Sequence, residues 1–486
     1  MTGQTPALNA PVRALLQRPP VTCSPETTIA EASRIMAAER VGSIVVLGGD
    51  RAPAGIVTRR DFLERVLAPR RSLEDPVASV MSAPLVTVSP EAFVFEALLE
   101  MTRRGLHHLP VVEAHGLVGM ISSHDLLLVH ASAPLELSRL IQSRRSLAEL
   151  EADMPELTRA VGHFVEQGLS GYEIGRIVAE LNDLVVRRVL AFVEQVLRDE
   201  NLGEPPVPYC WLALGSEGRR EQTLRTDQDN ALVYADATAD VGAHADRYFT
   251  RFAERAISDL VQLGYPRCPA DAMASNPRWR KPLSTWRRYF GEWVREPVPQ
   301  HLLHASIYFD LRPVAGAPEL AAALRQEIRT QVGAWRSFPR HLGKLAVSSA
   351  VPLGLFGRFR LERQNGARGI DMKLNAMLLL VNALRAYAVE LGLEETNTIE
   401  RLAAATRAGG CFRETEAEDI RGAYETVFHL RLRHQLECLA AGTAPDNFLD
   451  PYALGPGAQR RLREALRVIR RLQGRVESRY LTEALL

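Results

Sequence analysis

Apolar and polar positions along the chain follow two different periods. Alternating or short unbroken apolar runs at 43–47, 109–112, 211–214 and 230–234 predict strands. Leu, Ile and Val at three-to-four spacing from 169 to 197 predict a long helix. Shorter helices are expected at 28–39 and 93–104, each ahead of a strand. At 305–313, Ala-Ser-Ile-Tyr-Phe-Asp-Leu-Arg-Pro reads as a further strand. Ile307, Phe309 and Leu311 would then face the core, and Tyr308, Asp310 and Arg312 the other side. From about residue 334 onward, long amphipathic stretches with few strand signals predict an all-helical rear.

The front third repeats itself. Residues 24–32, Ser-Pro-Glu-Thr-Thr-Ile-Ala-Glu-Ala, recur at 89–97 as Ser-Pro-Glu-Ala-Phe-Val-Phe-Glu-Ala. Residues 55–61, Gly-Ile-Val-Thr-Arg-Arg-Asp, recur at 119–125 as Gly-Met-Ile-Ser-Ser-His-Asp. The two matches agree in register to within one residue, so the front is a duplicated helix-and-strand unit.

The stretch with the most chemistry runs from Trp211 to Tyr234. An apolar strand ends at Gly215-Ser216, and Asp227 and Asp229 open the next strand. Side chains two apart on a strand point the same way, so these carboxylates share a face. Like charges so placed repel unless a cation neutralises them. A hard divalent ion such as Mg2+ takes oxygen ligands and keeps room for substrate phosphates. The Gly215-Ser216 turn offers backbone N–H groups and a hydroxyl suited to a triphosphate. Arg219 and Arg220 lie near enough in sequence to touch phosphates, or else are solvated surface arginines.

Composition narrows the setting. With 486 residues, 46% apolar and 24% charged, the chain has the make-up of a globular protein of about three domains. A net charge of +1 gives no bulk attraction to nucleic acid or to a membrane surface. Five scattered cysteines without a Cys-x-x-Cys suggest neither a disulfide framework nor a zinc site. No charged-then-apolar leader or bilayer-length apolar run is read, so a cytoplasmic location is expected. Basic residues are nearly all arginine. Only Lys281, Lys344 and Lys373 are lysine, so one of these marks a place for a compact ammonium or is simply retained by chance.

Gly215-Ser-Glu-Gly-Arg-Arg-Glu-Gln-Thr with Thr226-Asp-Gln-Asp-Asn resembles the signature of the protein-PII uridylyltransferase and glutamine synthetase adenylyltransferase families. These belong to the DNA polymerase beta-type superfamily. The longer form is similar to a bacterial nucleotidyltransferase subgroup with tandem CBS repeats in front and a helical substrate-binding-like domain behind. The resemblance implies a multidomain α/β plus all-α protein. Its parts would be an N-terminal tail (1–17), tandem CBS repeats over 18–133 (18–68 and 76–133), and a helical connector (134–200). A nucleotidyltransferase α/β domain (201–333) and a C-terminal helical bundle (334–486) would follow.

By the same resemblance, Gly215 and Ser216 hold the nucleotide phosphates. Asp227, Asp229 and Asp310 are catalytic and bind two Mg2+ ions, which clamp attacking and leaving oxygens. An Asp310–Arg312 pair on an exposed strand face is the structural alternative for Asp310. Lys373 and Asp371, in Ile370-Asp-Met-Lys, complete the mouth of the site, or else form a local arrangement at a helix start. Thr396-Asn-Thr-Ile-Glu-Arg401 is also similar to a motif of that C-terminal domain. In the loop from Cys268 to Trp279, Ala270-Asp271 stands where the subgroup has Gly-Gly, while Asn276, Arg278 and Trp279 are candidate nucleotide contacts. In the CBS pair, Thr58 and Asp61, and Ser122 or Ser123 with Asp125, would meet AMP or ATP. The same side chains also suit helix N-caps.

The expected function is transfer of UMP or AMP from UTP or ATP to an acceptor, a protein side chain by resemblance, under adenylate control through a CBS pair that dimerises. Two alternatives stand beside it. One is a non-catalytic adenylate sensor whose transferase domain only binds. The other is transfer to a small molecule.

Overall fold

In a computed structural model the chain divides into two compact units, Met1–Ser143 and Arg144–Leu486. The structure describes residues 8–480 apart from 9, 17, 50–51, 115, 128–131, 225–226, 365–366 and 409. Thr226 of the motif lies outside the described residues.

The first unit holds the two repeats. Its helix Ile29–Ala38 starts where the Thr28 hydroxyl accepts the Glu31 N–H at 3.2 Å. Ser43–Leu47 pairs parallel with Thr22–Cys23 and antiparallel with Pro53–Thr58. In the second copy, helix Val94–Arg104 precedes His108–Glu113, which pairs antiparallel with Gly116–Ser122. Ile29, Ile44, Val46 and Val57 are fully buried, so each β-branched side chain faces the shared core. The described residues ahead of 18 join this unit. Val12 is fully buried, its N–H donates to the Ala92 carbonyl at 2.8 Å, and the Val94 N–H donates to the Ala10 carbonyl at 2.9 Å.

The expected connector divides between the units. Helix Ser132–Ser143 belongs to the first. Helices Leu147–Glu166 and Gly171–Asp199 belong to the second, where Gly171–Asp199 packs on Ala239–Gln262 and on the strand Arg312–Gly316. The centre of this unit is a four-stranded sheet in the order Arg280–Pro282, Asn230–Tyr234, Tyr209–Ala213, Arg312–Gly316. Only the Arg280–Pro282 pairing is parallel. Every residue of the two middle strands is buried. Helix Ala239–Gln262 covers them with Tyr248, Phe249 and Phe252, and the Phe252 ring lies 5.2 Å from Tyr209 and 6.3 Å from Trp211.

Two expectations need correction. The stretch 305–313 is not one strand: Pro299–Tyr308 is helix, and the strand begins only at Arg312. Pro299, preset for a first helical turn, opens it. Leu302, Ala305 and Tyr308 are buried at helical spacing, whereas Ile307 is only partly buried. The apolar alternation at 307–311 was therefore accidental. The rear is mostly helical (Phe338–Val347, Leu378–Leu391, Thr398–Arg407, Glu414–Ala440 and Pro456–Tyr480) but also carries a small sheet. Its antiparallel strands are Glu362–Gln364, Ala367–Asp371 and Phe448–Leu449. The helical run Lys373–Leu391 is long and apolar enough to cross a membrane by length and composition, and 67% of its most apolar stretch is buried inside the protein.

Replacing Phe252 with Ala should cost about 3–5 kcal/mol, the usual range for a large aromatic lost from a core. Urea unfolding at unchanged slope measures this; a loss below about 1 kcal/mol would contradict the packing described.

Candidate nucleotidyl-transfer site

The strand Tyr209–Ala213 runs into a short helix, Gly215–Gly218, and the Leu214 N–H donates to the Asp229 carbonyl at 2.9 Å. That bond sets the turn beside the Asp-x-Asp segment. Gly215 has φ +50, and a Cβ there would lie 2.7 Å from Asp229 Oδ2. At Gly218 a Cβ would lie 2.1 Å from the Asp310 carbonyl oxygen. Only glycine lets backbone approach the carboxylate and the neighbouring chain this closely. Ser216 is partly exposed.

The alternation expected at 227–230 is present: Gln228 and Asn230 are buried, while Asp227 and Asp229 are partly exposed. The two inward amides act as pegs. Gln228 Nε2 donates to the Tyr265 carbonyl at 2.9 Å, and Asn230 Oδ1 accepts the Ala274 N–H at 2.9 Å. Burial raises the pKa of Asp229 and neighbouring Asp227 raises it further, while a hydrogen bond from the Cys268 thiol and the Lys373 charge act the other way. A third acid stands here that sequence reasoning missed. Glu217 accepts the Asp229 N–H, and burial, then Asp229 and Asp183, drive its carboxyl well above the ordinary range.

Asp310 does not join Asp227 and Asp229. Its backbone reaches the motif turn, but its side chain is fully buried among three arginines. Arg219 Nη1 lies 2.7 Å away, Arg385 Nη2 2.6 Å and Arg401 Nη2 2.7 Å. Burial alone would raise its pKa. The three guanidinium groups outweigh burial and hold it well below the carboxylate range. Both oxygens are engaged, so Asp310 is a structural anion, not a metal ligand or base. Nor does it pair with Arg312, which forms a bidentate bridge to Asp183.

Arg219 is likewise neither phosphate-facing nor solvated: it is buried between Asp310 and Glu221, with Nε 2.8 Å from Glu221. Arg220 (φ +56) lies with Nε 3.5 Å from Glu180 on the helix Gly171–Asp199.

The motif turn is gripped from the rear of the chain. Thr396 Oγ1 donates to the Gly218 carbonyl at 3.0 Å, Asn397 Nδ2 donates to the Arg219 carbonyl at 2.9 Å, and the Thr398 N–H donates to Glu221 at 2.5 Å. Thr396-Asn-Thr thus acts on the transferase motif itself, with Asn397 also capping the helix Thr398–Arg407.

Lys373 and Asp371 separate in role. Asp371 Oδ1 accepts the N–H groups of Lys373 and Leu374 at 2.9 and 2.8 Å, as a helix-start residue does. Lys373 Nζ reaches Asp227, 3.6 Å from Oδ2. Asp227 and Lys373 line a cleft of about 810 Å³ together with Arg431, Gln435 and Asn447. Arg431 is 4% exposed, its Nε donates to Asn447 at 2.5 Å, and burial lowers its pKa to about 10, so it stays a cation at neutral pH. Among the described residues it makes no ion pair. Gln435 Oε1 is buried without a hydrogen-bond partner. Arg431, Gln435 and Asn447 carried no sequence signal, being scattered over a helix and a loop.

The loop 268–279 supports the site from outside. Asp271 takes φ +52, a conformation that glycine serves and Asp tolerates. Asn276 Nδ2 braces it, 2.9 Å from Asp271 Oδ2, and Arg278 stacks on Trp279 at 4.8 Å. Trp279 is core: it is 4% exposed and packs on Tyr308 and Trp286.

In the first unit, a separate cleft of about 930 Å³ is lined by Thr58, Asp61, Ser122, Ser123 and Asp125. Thr58 Oγ1 and N–H both donate to Asp61 Oδ2, at 2.7 and 2.8 Å. Ser122 repeats this arrangement with Asp125 at 2.6 and 2.7 Å. Ser122, not Ser123, is therefore the counterpart of Thr58; Ser123 instead accepts from Arg139 at 3.2 Å. The N-cap role of these residues is real, and both caps open into the same cleft.

Replacing Asp310 with Ala should cost about 3–5 kcal/mol, because three buried guanidinium groups lose their counter-ion. Its folded pKa is depressed, so its stabilisation is present above the unfolded value near pH 4 and is lost as pH falls below it. Urea titrations at pH 7 and below pH 4 should show the variant losing less on acidification than wild type. Equal acid sensitivity would contradict the arrangement.

The family described as "Putative nucleotidyltransferase DUF294" matches residues 155–300, "Putative nucleotidyltransferase substrate binding domain" matches 336–480, and "CBS domain" matches 12–68 and 77–132. The mitochondrial CBS domain-containing protein CBSX3 of Arabidopsis thaliana is 35% identical over 110 residues, 22% of this chain and 53% of that one. The CBS domain-containing protein YhcV of Bacillus subtilis is 35% identical over 105 residues, 22% of this chain and 74% of that one. The chain spans 53–62% of the length of the first three curated relatives it matches. A solved CBS domain protein from Pyrobaculum aerophilum, complexed with AMP, is 31% identical and covers 25% of this chain and 98% of its own, with a TM-score of 0.23. The chain belongs to the family in which tandem CBS domains precede a nucleotidyltransferase domain of the DUF294 type and its C-terminal substrate-binding domain.

Proposed function

We propose that this chain transfers a nucleoside monophosphate from a nucleoside triphosphate, UTP or ATP, to an acceptor, with a protein side chain as the favoured acceptor class. One observation carries the reading. Asp227, paired with Lys373 at 3.6 Å, lines one cleft with Lys373 and Arg431, and Asp229 of the same segment lies against Gly215 of the motif turn. A buried arginine without an ion-paired carboxylate is a seat for a phosphate, which the guanidinium fork matches.

Asp227 and Asp229 offer hard oxygen donors on one face, and Gly215 leaves the space that a Cβ beside Asp229 would fill. That donor set fits Mg2+. Bound there, the ion would neutralise phosphate charge and lower the pKa of an attacking hydroxyl. The protein's own residues do the rest. Lys373 and Arg431 hold the triphosphate, the motif turn presents N–H groups to it, and Gln435 offers an unpaired carbonyl to the base or acceptor. Positioning and fixed charge supply most of the rate.

In wild type, incubation with Mg2+, cell extract and triphosphate labelled at the α-phosphate should label protein. Asp227→Ala with Asp229→Ala should lower incorporation at least ~100-fold. Lys373→Ala should raise KM for the triphosphate about tenfold, the equivalent of 1.4 kcal/mol. Label in a small product would redirect the acceptor, and unchanged incorporation in the double variant would refute the assignment.

The caging of Asp310 favours a second reading, in which the domain binds triphosphate without transferring it. Triphosphate binding by wild type with no incorporation into any fraction would select it.

The CBS cleft is proposed to bind AMP or ATP through Thr58, Asp61, Ser122 and Asp125, and to bias the transferase by a coupling of roughly 1–3 kcal/mol. At 100 times Kd, AMP or ATP should stabilise the first unit by about 2.7 kcal/mol. Asp61→Ala with Asp125→Ala should abolish that shift. A shift retained in the double variant would place the nucleotide elsewhere.

A further inference from the structure

A second cluster of ligating side chains lies outside the transferase site, on the helix Glu414–Ala440. His434 and Cys438 stand one turn apart on that helix and so share a face. The chain then turns back and brings in Asp446. His434 Nε2 lies 2.6 Å from Asp446 Oδ1 and 3.6 Å from Cys438 Sγ, and the three donor atoms all lie within 4.8 Å of one another.

One ring nitrogen therefore faces a carboxylate oxygen and a sulfur together. Around tetrahedral zinc, with bonds of about 2.3 Å to sulfur and 2.0–2.1 Å to nitrogen, those two ligands sit roughly 3.5 Å apart. The sulfur and nitrogen already hold that spacing. Asp446 needs to withdraw by roughly 0.7 Å to reach the nitrogen–oxygen spacing of a tetrahedral site, and its side chain is 61% exposed on a loop.

We propose that His434, Cys438 and Asp446 bind a transition-metal ion, Zn2+ first among them, with water in the fourth position. The mixed nitrogen, sulfur and oxygen set selects such an ion over Mg2+. Binding exchanges the thiol proton of Cys438, released to solvent, for a metal–sulfur bond without any redox change.

The site has a structural consequence. The Thr443 N–H donates to the Cys438 carbonyl at 2.9 Å, and Asp446 Oδ1 accepts the Phe448 N–H at 2.9 Å. Between them, Ala444, Pro445 and Asn447 line the cleft that holds Asp227. Asn447 also orients Arg431 and accepts the Met372 N–H through its carbonyl at 2.8 Å. An ion here pins the loop that walls the candidate site. The metal assignment stands on its own ligands and does not depend on the transferase reading.

The test is metal content and Co2+ spectroscopy on the full chain. Wild type, loaded with Zn2+ and desalted, should retain one equivalent by elemental analysis. The Co2+ form should show a thiolate-to-metal charge-transfer band. Cys438→Ser should abolish the band, and Cys438→Ser or His434→Ala should each weaken Zn2+ binding at least about 100-fold, beyond what outer-sphere changes produce. The Asp227→Ala, Asp229→Ala variant should keep the zinc and the band, as should Cys411→Ser. Matching far-UV circular dichroism establishes that each variant is folded. Absence of bound zinc in wild type would overturn the proposal. So would zinc retained in both ligand variants, or zinc lost with Asp227 and Asp229.

Discussion

A single buried carboxylate organises the second unit. Asp310 has no exposed surface and is bound by Arg219 from the transferase motif and by Arg385 and Arg401 from the C-terminal helices. Three guanidinium groups converging at one buried point repel one another unless an anion lies between them, and the buried anion in turn needs them. The motif turn, the segment before the strand Arg312–Gly316 and two rear helices must therefore assemble together. Thr396, Asn397 and Thr398 tighten the same junction by bonding the Gly218 and Arg219 carbonyls and Glu221. Gly175, on the helix Gly171–Asp199, meets the motif from another side, where a Cβ would be 3.0 Å from the Arg220 carbonyl oxygen.

This construction explains the division of labour at the cleft. The segment leading into the strand Asn230–Tyr234 carries the acids, Asp227 and Asp229, at the edge of an aromatic-packed sheet. The rear supplies the cations. Lys373 stands just after the strand Ala367–Asp371, and Arg431 reaches across from the helix Glu414–Ala440, aimed by Asn447. Among the described residues lining the cleft, the acid Asp227 comes from the front of this unit and the cations Lys373 and Arg431 from its rear. The site is complete only when the two are locked in register, which is what the Asp310 cluster does.

The sequence was legible where a period or a repeat was strict. The duplicated front unit fixed the equivalence of Asp61 and Asp125, and the alternation at 227–230 survived into the structure. It misled at 307–311, where chance alternation imitated a strand in a segment that Pro299 and the buried Leu302, Ala305 and Tyr308 make helical. Asp310 was expected to bind metal and instead anchors three arginines; these lie 91, 75 and 91 residues away, so no local pattern reveals the cage. Lys373 was visible because lysine is so rare in this chain. Arg431 was hidden for the opposite reason, as one arginine among dozens.

The most direct measurement is a crystal structure of the full chain grown with Mg2+ and a non-hydrolysable triphosphate. The account requires density for the phosphates between the Gly215-Ser216 turn, Lys373 and Arg431, with the ion on Asp227 and Asp229. A triphosphate bound elsewhere in the second unit, with that cleft unchanged, would contradict it.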